Sequence, residues 1–147
     1  MYGQRVKEVM DRRKLVTARA SESVADVARV MQQRGVGAVV IVDHKHPIGI
    51  FTERDALFRV IAQGRDPVAT RVGDVMTVNP KTIAPDDSLG AALIAMHDNG
   101  YRHLPVVREG ELLGIISTRC ALDPDLQEFR CEEVRRKHFR REQGTPA

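Results

Sequence analysis

The sequence reads Gly49-Ile50-Phe51-Thr52-Glu53-Arg54-Asp55, and 65 residues later it reads Gly114-Ile115-Ile116-Ser117-Thr118-Arg119-Cys120. In each copy an apolar pair typical of a strand leads into a hydroxyl residue that can begin a helix. The copies differ at their last position, where Cys120 replaces Asp55. One copy of the turn therefore carries a carboxylate, and the other carries a thiol.

The similarity between the two halves extends well beyond this turn. Matching pairs at the same offset are Met31 and Met96, Gly35 and Gly100, and Val42 and Val107; at an offset of 66 they are Val6 and Val72, Val9 and Val75, and Met10 and Met76. Matches spread over a whole unit indicate an internal duplication. The change of offset places one extra residue in the first copy, between its start and its first strand.

Each copy predicts the element order β-α-β-β-α, so the predicted fold class is α+β. In the first copy we predict an extended segment at 16–18, a helix capped by Ser21 or Ser23 and ended by Gly35 and Gly37, strands at 38–42 and 48–51, and a helix at 53–62. In the second copy we predict an extended segment at 82–83, a helix at 88–98, strands at 104–107 and 112–116, and a helix from Thr118. The repeats span residues 1–65 and 66–123.

Residues 124–147 form a third, basic segment. A charged helix is predicted from Asp125 to Arg141, followed by a frayed end. Residues 130–142 hold six Lys or Arg against three Glu, an excess equal to the formal net charge of +3, while the rest of the chain is balanced. Two interpretations stay open: a helix that docks on the protein with one solvated face, or a contact with nucleic acid or an acidic partner.

Composition excludes several classes of function. No apolar run reaches the roughly 20 residues of a membrane helix, and no secretion signal is present, so we expect a cytoplasmic protein without a membrane partner. The aromatic content of 4% leaves little material for stacking nucleic-acid bases. No P-loop or nucleophile with its base occurs, so no catalytic residue is assigned and an enzyme is not expected. His44 and His46 lack a third ligand, so no metal site is assigned.

The combination of motifs resembles the CBS domain pair, also called a Bateman module, over residues 6 to 123. The resemblance rests on three motifs that occur in the expected order: Val-Met-x-x-x-Pro at 75–80, Leu-Pro-Val-Val at 104–107, and the Gly-x-x-Thr/Ser turns quoted above. It implies two repeats packed sheet to sheet about a pseudo-twofold axis. It also implies clefts that can bind adenine nucleotides or related adenosyl ligands, and a homodimer formed through helical faces into a flat disc.

Thr52 and Asp55 are the first candidate site residues, and their spacing has two readings. An acidic residue three positions after a threonine is typical of a capping box, which many proteins have without any ligand. A turn from strand to helix also favours an anion, because free backbone N–H groups and the helix dipole point at it. The resemblance implies that Thr52 contacts phosphate and that Asp55 accepts ribose hydroxyls. Capping and binding are compatible.

The second half of the site is expected on copy two. By the same resemblance, Arg102 and His103 enter the second central strand opposite the Thr52 turn, where cations bind phosphate oxygens. The alternative for this pair is a strand entry exposed to solvent. Lys81, Thr82 and Ile83 would supply backbone contacts to the adenine edge.

The pseudo-symmetric site lacks the same groups. Cys120 offers no ribose acceptor, and Gly37 and Ala38 occupy the positions that Arg102 and His103 occupy in the first site. We therefore predict one competent nucleotide site per chain. Cys120 itself is read either as a small side chain that fills an unused pocket or as a reactive thiol at a helix start.

The sequence as a whole predicts a regulatory module that requires no cofactor. Its expected ligand is AMP, ADP or ATP, with NAD or S-adenosylmethionine as further adenosyl candidates. Its expected partners are a second copy of the chain and an unidentified protein that it regulates. The alternative is a scaffold that works without ligand and binds a protein or nucleic acid through the basic C-terminal segment.

Overall fold

The computed structural model describes residues 3–120. The helices are α1 (Val6–Val9), α2 (Val24–Arg34), α3 (Glu53–Asp55) and α4 (Leu89–Asn99). The strands are β1 (Thr17–Ala18), β2 (Ala38–Asp43), β3 (His46–Thr52), β4 (Thr77–Val78), β5 (His103–Arg108) and β6 (Glu111–Ser117). A π-helix (Ala56–Ile61) continues α3, and a 3₁₀ turn (Val72–Asp74) precedes β4. The α+β class is confirmed, while the predicted C-terminal helix lies outside the described residues.

The two long helices begin and end in the same way. The Ser23 Oγ accepts a hydrogen bond from the Asp26 backbone N–H at 3.1 Å, and the Ser88 Oγ accepts one from the Ala91 N–H at 3.1 Å. Each helix ends at a glycine in the left-handed region, with φ of 63° at Gly35 and 67° at Gly100. Ser23 is therefore the cap, and not Ser21, because its side chain reaches the free N–H of the first turn.

The first sheet explains why the run of β-branched residues at 38–42 has no polar face. Strand β2 pairs with β1 in parallel and with β3 antiparallel, and β4 lies on the far side of β3. Val39 and Ile41 pack under α2, whereas Ala38 and Val40 pack on the opposite face against the second repeat. Both faces of β2 are thus buried, as a continuous apolar run predicts.

The second repeat forms a matching sheet around β5 and β6. These strands pair antiparallel, and single bridges extend the sheet on both sides, from Ile83 to Val106 and from Asp11 to Ile115. The two sheets face each other through Val40, Ile50 and Ile115, all of which are buried. This apolar layer gives the sheet-to-sheet packing that the sequence predicts.

The first segment of each repeat pairs with the sheet of the other repeat, and the sequence does not reveal this exchange. Strand β4 lies in the first segment of repeat two but pairs with β3 of repeat one, and Asp11 of repeat one bridges β6 of repeat two. Backbone hydrogen bonds reinforce the exchange: the Val6 N–H donates to the Asp87 carbonyl at 2.9 Å, and the Val72 N–H donates to the Glu22 carbonyl at 2.8 Å. A boundary at residue 65 therefore divides the sequence, but not the packed units.

Glycines make the exchanged segments fit closely. A Cβ at Gly49 would lie 2.3 Å from the Met76 Sδ, and a Cβ at Gly114 would lie 3.1 Å from the Met10 Sδ. The methionine of each exchanged segment thus occupies the space that a side chain would need at the glycine of the other repeat. The glycine of the repeated motif leaves room for this contact between the repeats.

We predict that Gly73→Ala weakens the association of the repeats. Its Cβ would lie 2.8 Å from the Ala20 Cβ and 2.9 Å from the Ala20 carbonyl oxygen, so the backbone must shift. We expect a loss of about 1–3 kcal/mol in the free energy of unfolding, measured by urea denaturation. Gly3→Ala is the control, because no atom lies within 4 Å of its Cβ. Equal stability of the two variants would contradict the prediction.

Candidate functional site

A cleft of about 740 Å³ lies between the repeats. Repeat one contributes Ile50, Thr52 and Asp55 to its walls, and the second half of the chain contributes Lys81, Arg102 and His103. The first wall combines the end of β3 with the start of α3, and the second combines the loop after β4 with the start of β5. The structure therefore brings five of the seven predicted site residues to a single cavity.

Thr52 and Asp55 form a complete capping box at the floor of the cleft. The Asp55 N–H donates to the Thr52 Oγ1 at 3.3 Å, and the Asp55 Oδ2 accepts from the Thr52 N–H at 3.0 Å and from its hydroxyl at 3.2 Å. The Asp55 residue is only 7% exposed. The structural reading of this pair is thus correct, and it leaves the other carboxylate oxygen, Oδ1, free of the turn.

The other carboxylate oxygen faces Arg59, which is not among the site residues predicted from the sequence. Its Nε lies 3.5 Å from the Asp55 Oδ1. Its Nη1 donates to the carbonyl oxygen of Met76 at 2.9 Å and, less closely, to that of Val75 at 3.4 Å. The available signal was its position four residues after Asp55, since side chains at that spacing are neighbours on a helix.

Arg102 and His103 face the turn from the second repeat. The Glu53 N–H donates to the Gly37 carbonyl at 3.1 Å, and the equivalent Thr118 N–H donates to the Arg102 carbonyl at 3.0 Å. The strand entries of both repeats are therefore tied to the turns of their own repeats. This leaves the Arg102 and His103 side chains on the wall of the cleft that the Thr52 turn shares.

The pKa of His103 is lowered, and the cause is physical. Burial lowers the pKa of its imidazole below the ordinary value of 6.5, and the charge of Arg102 lowers it further. The carboxylate of Glu53 acts in the opposite direction on the pKa but does not compensate. His103 therefore lies near an acidic and a basic group, one from each repeat.

The residues of the segment 81–83 lie in different places, and only one of them lines the cleft. Lys81 lines the cleft, whereas Thr82 is exposed outside it. Ile83 is buried among the apolar residues of repeat two, and its backbone groups are committed to β5: its N–H donates to the Pro105 carbonyl at 3.0 Å and its carbonyl accepts from the Val107 N–H at 2.9 Å. Of the three predicted adenine contacts, the structure brings only Lys81 to the cavity.

The equivalent turn of repeat two has the same geometry with different chemistry. The Cys120 N–H donates to the Ser117 Oγ at 3.0 Å, and the Ser117 hydroxyl lies 3.1 Å from the Cys120 Sγ. The thiol occupies the position of the Asp55 carboxylate, but it lacks the charge and most of the hydrogen-bonding capacity. This turn is retained as a helix start.

His46 of the first hairpin contacts the second repeat, whereas the His44 side chain is exposed. The His46 Nδ1 lies 2.8 Å from the Gly110 carbonyl oxygen and so joins the hairpin turns of the two repeats. Within residues 3–120 no group of three or more side chains is arranged to hold a metal ion. None of the helices in the same range has the length and apolar character that crossing a bilayer demands.

We predict that His103 makes stability depend on pH. Because its pKa is lowered in the folded state, the unfolded chain binds more protons below pH 6.5, and the stability contributed above that pH is lost as the pH falls. The melting temperature of His103→Gln should therefore fall less between pH 7.5 and 5.5 than that of the wild type. His44→Gln is the control, since its side chain is 92% exposed. Parallel pH profiles for wild type and His103→Gln would refute the assignment.

Comparison with known proteins agrees with the duplicated fold. The model of the CBS domain matches residues 6–62 and 72–123. The uncharacterized protein MK0525 of Methanopyrus kandleri is 35% identical over 133 residues, which span 89% of this chain and 68% of that protein. Several other curated relatives are longer, and the chain spans 58% of the length of one of them and 23% of another.

Solved structures show the same architecture. A putative signal-transduction protein with CBS domains from Burkholderia ambifaria is 30% identical with a TM-score of 0.79, covering 84% of this chain and 95% of that one. The CBS domain protein PAE2072 from Pyrobaculum aerophilum, complexed with AMP, is 27% identical with a TM-score of 0.73, covering 80% and 89%. A hexameric CBS-CP12 protein from bloom-forming cyanobacteria is 29% identical with a TM-score of 0.75, covering 83% and 67%.

Two matched repeats account for most of the sequence, and their order, their sheets and the cleft between them are those that the sequence resemblance implied. The chain belongs to the CBS domain family and carries two CBS repeats, the arrangement of a regulatory module.

Proposed function

We propose that the chain senses an adenosyl nucleotide, which binds in the cleft between its CBS repeats. The observation that carries this proposal is the position of the Thr52–Asp55 turn and the Arg102–His103 strand entry on one cavity. The turn offers a hydroxyl and a carboxylate, while the strand entry offers a cation and an imidazole. These groups together match a ribose joined to a phosphate.

The phosphate would lie between Thr52 and Arg102. A guanidinium binds phosphate oxygens through charge-assisted hydrogen bonds, and a hydroxyl can donate one more. His103 would add a second donor, because a nearby anion favours the protonated imidazole. Lys81 brings a further positive charge to the same cavity.

The ribose would lie at Asp55. A carboxylate has about four lone-pair sites, and the capping box and Arg59 do not use all of them. The cleft volume of about 740 Å³ falls within the range of small-molecule sites. Its walls also carry apolar side chains for a base, among them Ile50 and Leu57.

The ligand class follows from this chemistry and from one relative. AMP, ADP and ATP share the groups that the cleft can recognise, and NAD and S-adenosylmethionine share its adenosyl part. The Pyrobaculum protein was solved with AMP, which makes AMP the first probe. Cys120 and Gly37 replace the carboxylate and the arginine at the pseudo-symmetric positions, so we propose one site per chain.

Signalling requires a second conformation or a partner that distinguishes the bound state. A ligand shifts such an equilibrium only through its differential affinity for the two states. The π-helix that follows the ligand turn exposes Leu57, Phe58 and Ile61, with exposed fractions of 51%, 51% and 69%; the first two also line the cleft, so this surface adjoins the proposed site. An apolar surface of this kind favours association, and we propose a homodimer whose geometry responds to the ligand.

We predict that Asp55→Ala weakens AMP binding about tenfold to hundredfold, the loss expected for a charged hydrogen-bond partner. Thermal shift with AMP, ADP, ATP, NAD and S-adenosylmethionine selects the ligand, and titration calorimetry measures its affinity. Asp55→Asn keeps an acceptor for the cap and should bind weakly as well, which separates loss of charge from loss of the turn. Cys120→Ala is the matched control at the equivalent position and should bind like wild type.

The same titration decides the number of sites. We expect one nucleotide per chain, because only the turn of repeat one carries the carboxylate. Two equal sites per chain would contradict the proposed asymmetry. No thermal shift with any of the five ligands would favour the alternative of a ligand-independent scaffold, whose basic segment lies outside the described residues.

A further inference from the structure

The proposed site has two walls that belong to different parts of the chain, and one side chain connects them. Arg59 lines the cleft and contacts Asp55 on one side and the carbonyls of Val75 and Met76 on the other. We infer that Arg59 is a positioning residue for ribose recognition: it orients the Asp55 carboxylate toward a nucleotide ribose. This inference rests on the proposed function.

The two oxygens of the Asp55 carboxylate have different partners. Its Oδ2 accepts from the N–H and the hydroxyl of Thr52, at 3.0 and 3.2 Å. Its Oδ1 lies 3.5 Å from the Arg59 Nε. Held at both oxygens, the carboxylate has one orientation, and its remaining lone pairs point in directions determined by these partners. Without Arg59, only the Oδ2 contacts would restrain its rotation.

Arg59 is itself anchored by backbone carbonyls. Its Nη1 donates to the Met76 carbonyl at 2.9 Å, and the Val75 carbonyl lies 3.4 Å away. These carbonyls follow the 3₁₀ turn Val72–Asp74, where the backbone leaves a helical path and its acceptors need new partners. Met76 is in turn packed against Gly49. The guanidinium is therefore held by the start of the segment that forms the opposite wall.

An arginine has the donor geometry that this role needs. Guanidinium donors are arranged in a rigid, planar fork, so Nε can face a carboxylate while Nη1 faces a carbonyl. A lysine ammonium is a compact charge without separated donors. The π-helix over 56–61 supports the same interpretation, since short π-helical segments occur frequently at functional sites. Arg59 lies within this segment.

The alternative role for Arg59 is a direct contact with the ligand phosphate, since it also lines the cleft. A phosphate contact or a merely structural role would weaken every nucleotide by a similar factor. A role through Asp55 would instead weaken only the ligands whose ribose hydroxyl Asp55 can recognise. The discrimination between AMP and 2′-deoxy-AMP therefore separates the roles.

The test measures the affinity of both nucleotides by titration calorimetry for wild type and Arg59→Met, which keeps the apolar stem and removes the fork. Wild type should bind AMP about tenfold or more tightly than 2′-deoxy-AMP, and Arg59→Met should reduce that ratio to about threefold or less. Arg54→Met is the matched control and should keep the wild-type ratio, because the Arg54 guanidinium lies in the same cleft but over the Phe58 ring, 5.4 Å from its centroid.

Arg59→Lys provides a second measurement if Arg59→Met does not fold, and its ratio should also fall because the ammonium lacks separated donors. An unchanged ratio in the folded Arg59 variants, even with weaker binding of both nucleotides, would overturn the positioning role and leave the nucleotide site standing. A wild type that binds neither nucleotide would overturn the proposed function together with this inference. The two failures are therefore distinguishable.

Discussion

The exchange of the first segment between the two repeats is the constraint on which the rest of the structure depends. Strand β4 completes the sheet of repeat one, and Asp11 bridges the sheet of repeat two. Neither sheet has its full set of neighbours without the other repeat. The glycine of each repeated motif leaves room for the other repeat's methionine, so the cleft between the repeats is held by backbone pairing as well as by apolar burial.

This exchange also explains why the candidate site is composite. The segment from β4 to Lys81 lines the cleft, and the Thr52 turn lines the same cavity. Arg59 connects the two through Asp55 and the Met76 carbonyl. A site made of parts that belong to different repeats is sensitive to their relative position, which is a suitable property for a regulatory module.

The two turns show how a duplicated fold can keep a structure and change its chemistry. Ser117 and Cys120 reproduce the backbone geometry of Thr52 and Asp55, with the N–H of the third residue bonded to the first hydroxyl. The fold needs that hydrogen bond in both repeats, because it satisfies a free donor at the start of a helix. The charge is not part of that hydrogen bond: it is present in one copy only, where the Asp55 carboxylate faces Arg59 and lines the cleft. The capping role that Asp55 has in the fold is therefore compatible with the ligand role proposed for it.

The sequence by itself determined the duplication, the β-α-β-β-α order within each repeat and the resemblance to the family, because these follow from local periodicity, glycine positions and short motifs. It also predicted that Thr52, Asp55, Arg102 and His103 belong together. The structure decided that Ser23, and not Ser21, caps the first long helix. Only the tertiary structure decided which segment completes which sheet, that Ile83 belongs to the core, and that Arg59 reaches the Met76 carbonyl. These features depend on backbone pairing between residues distant in sequence and on side-chain direction, and neither is encoded in any local pattern.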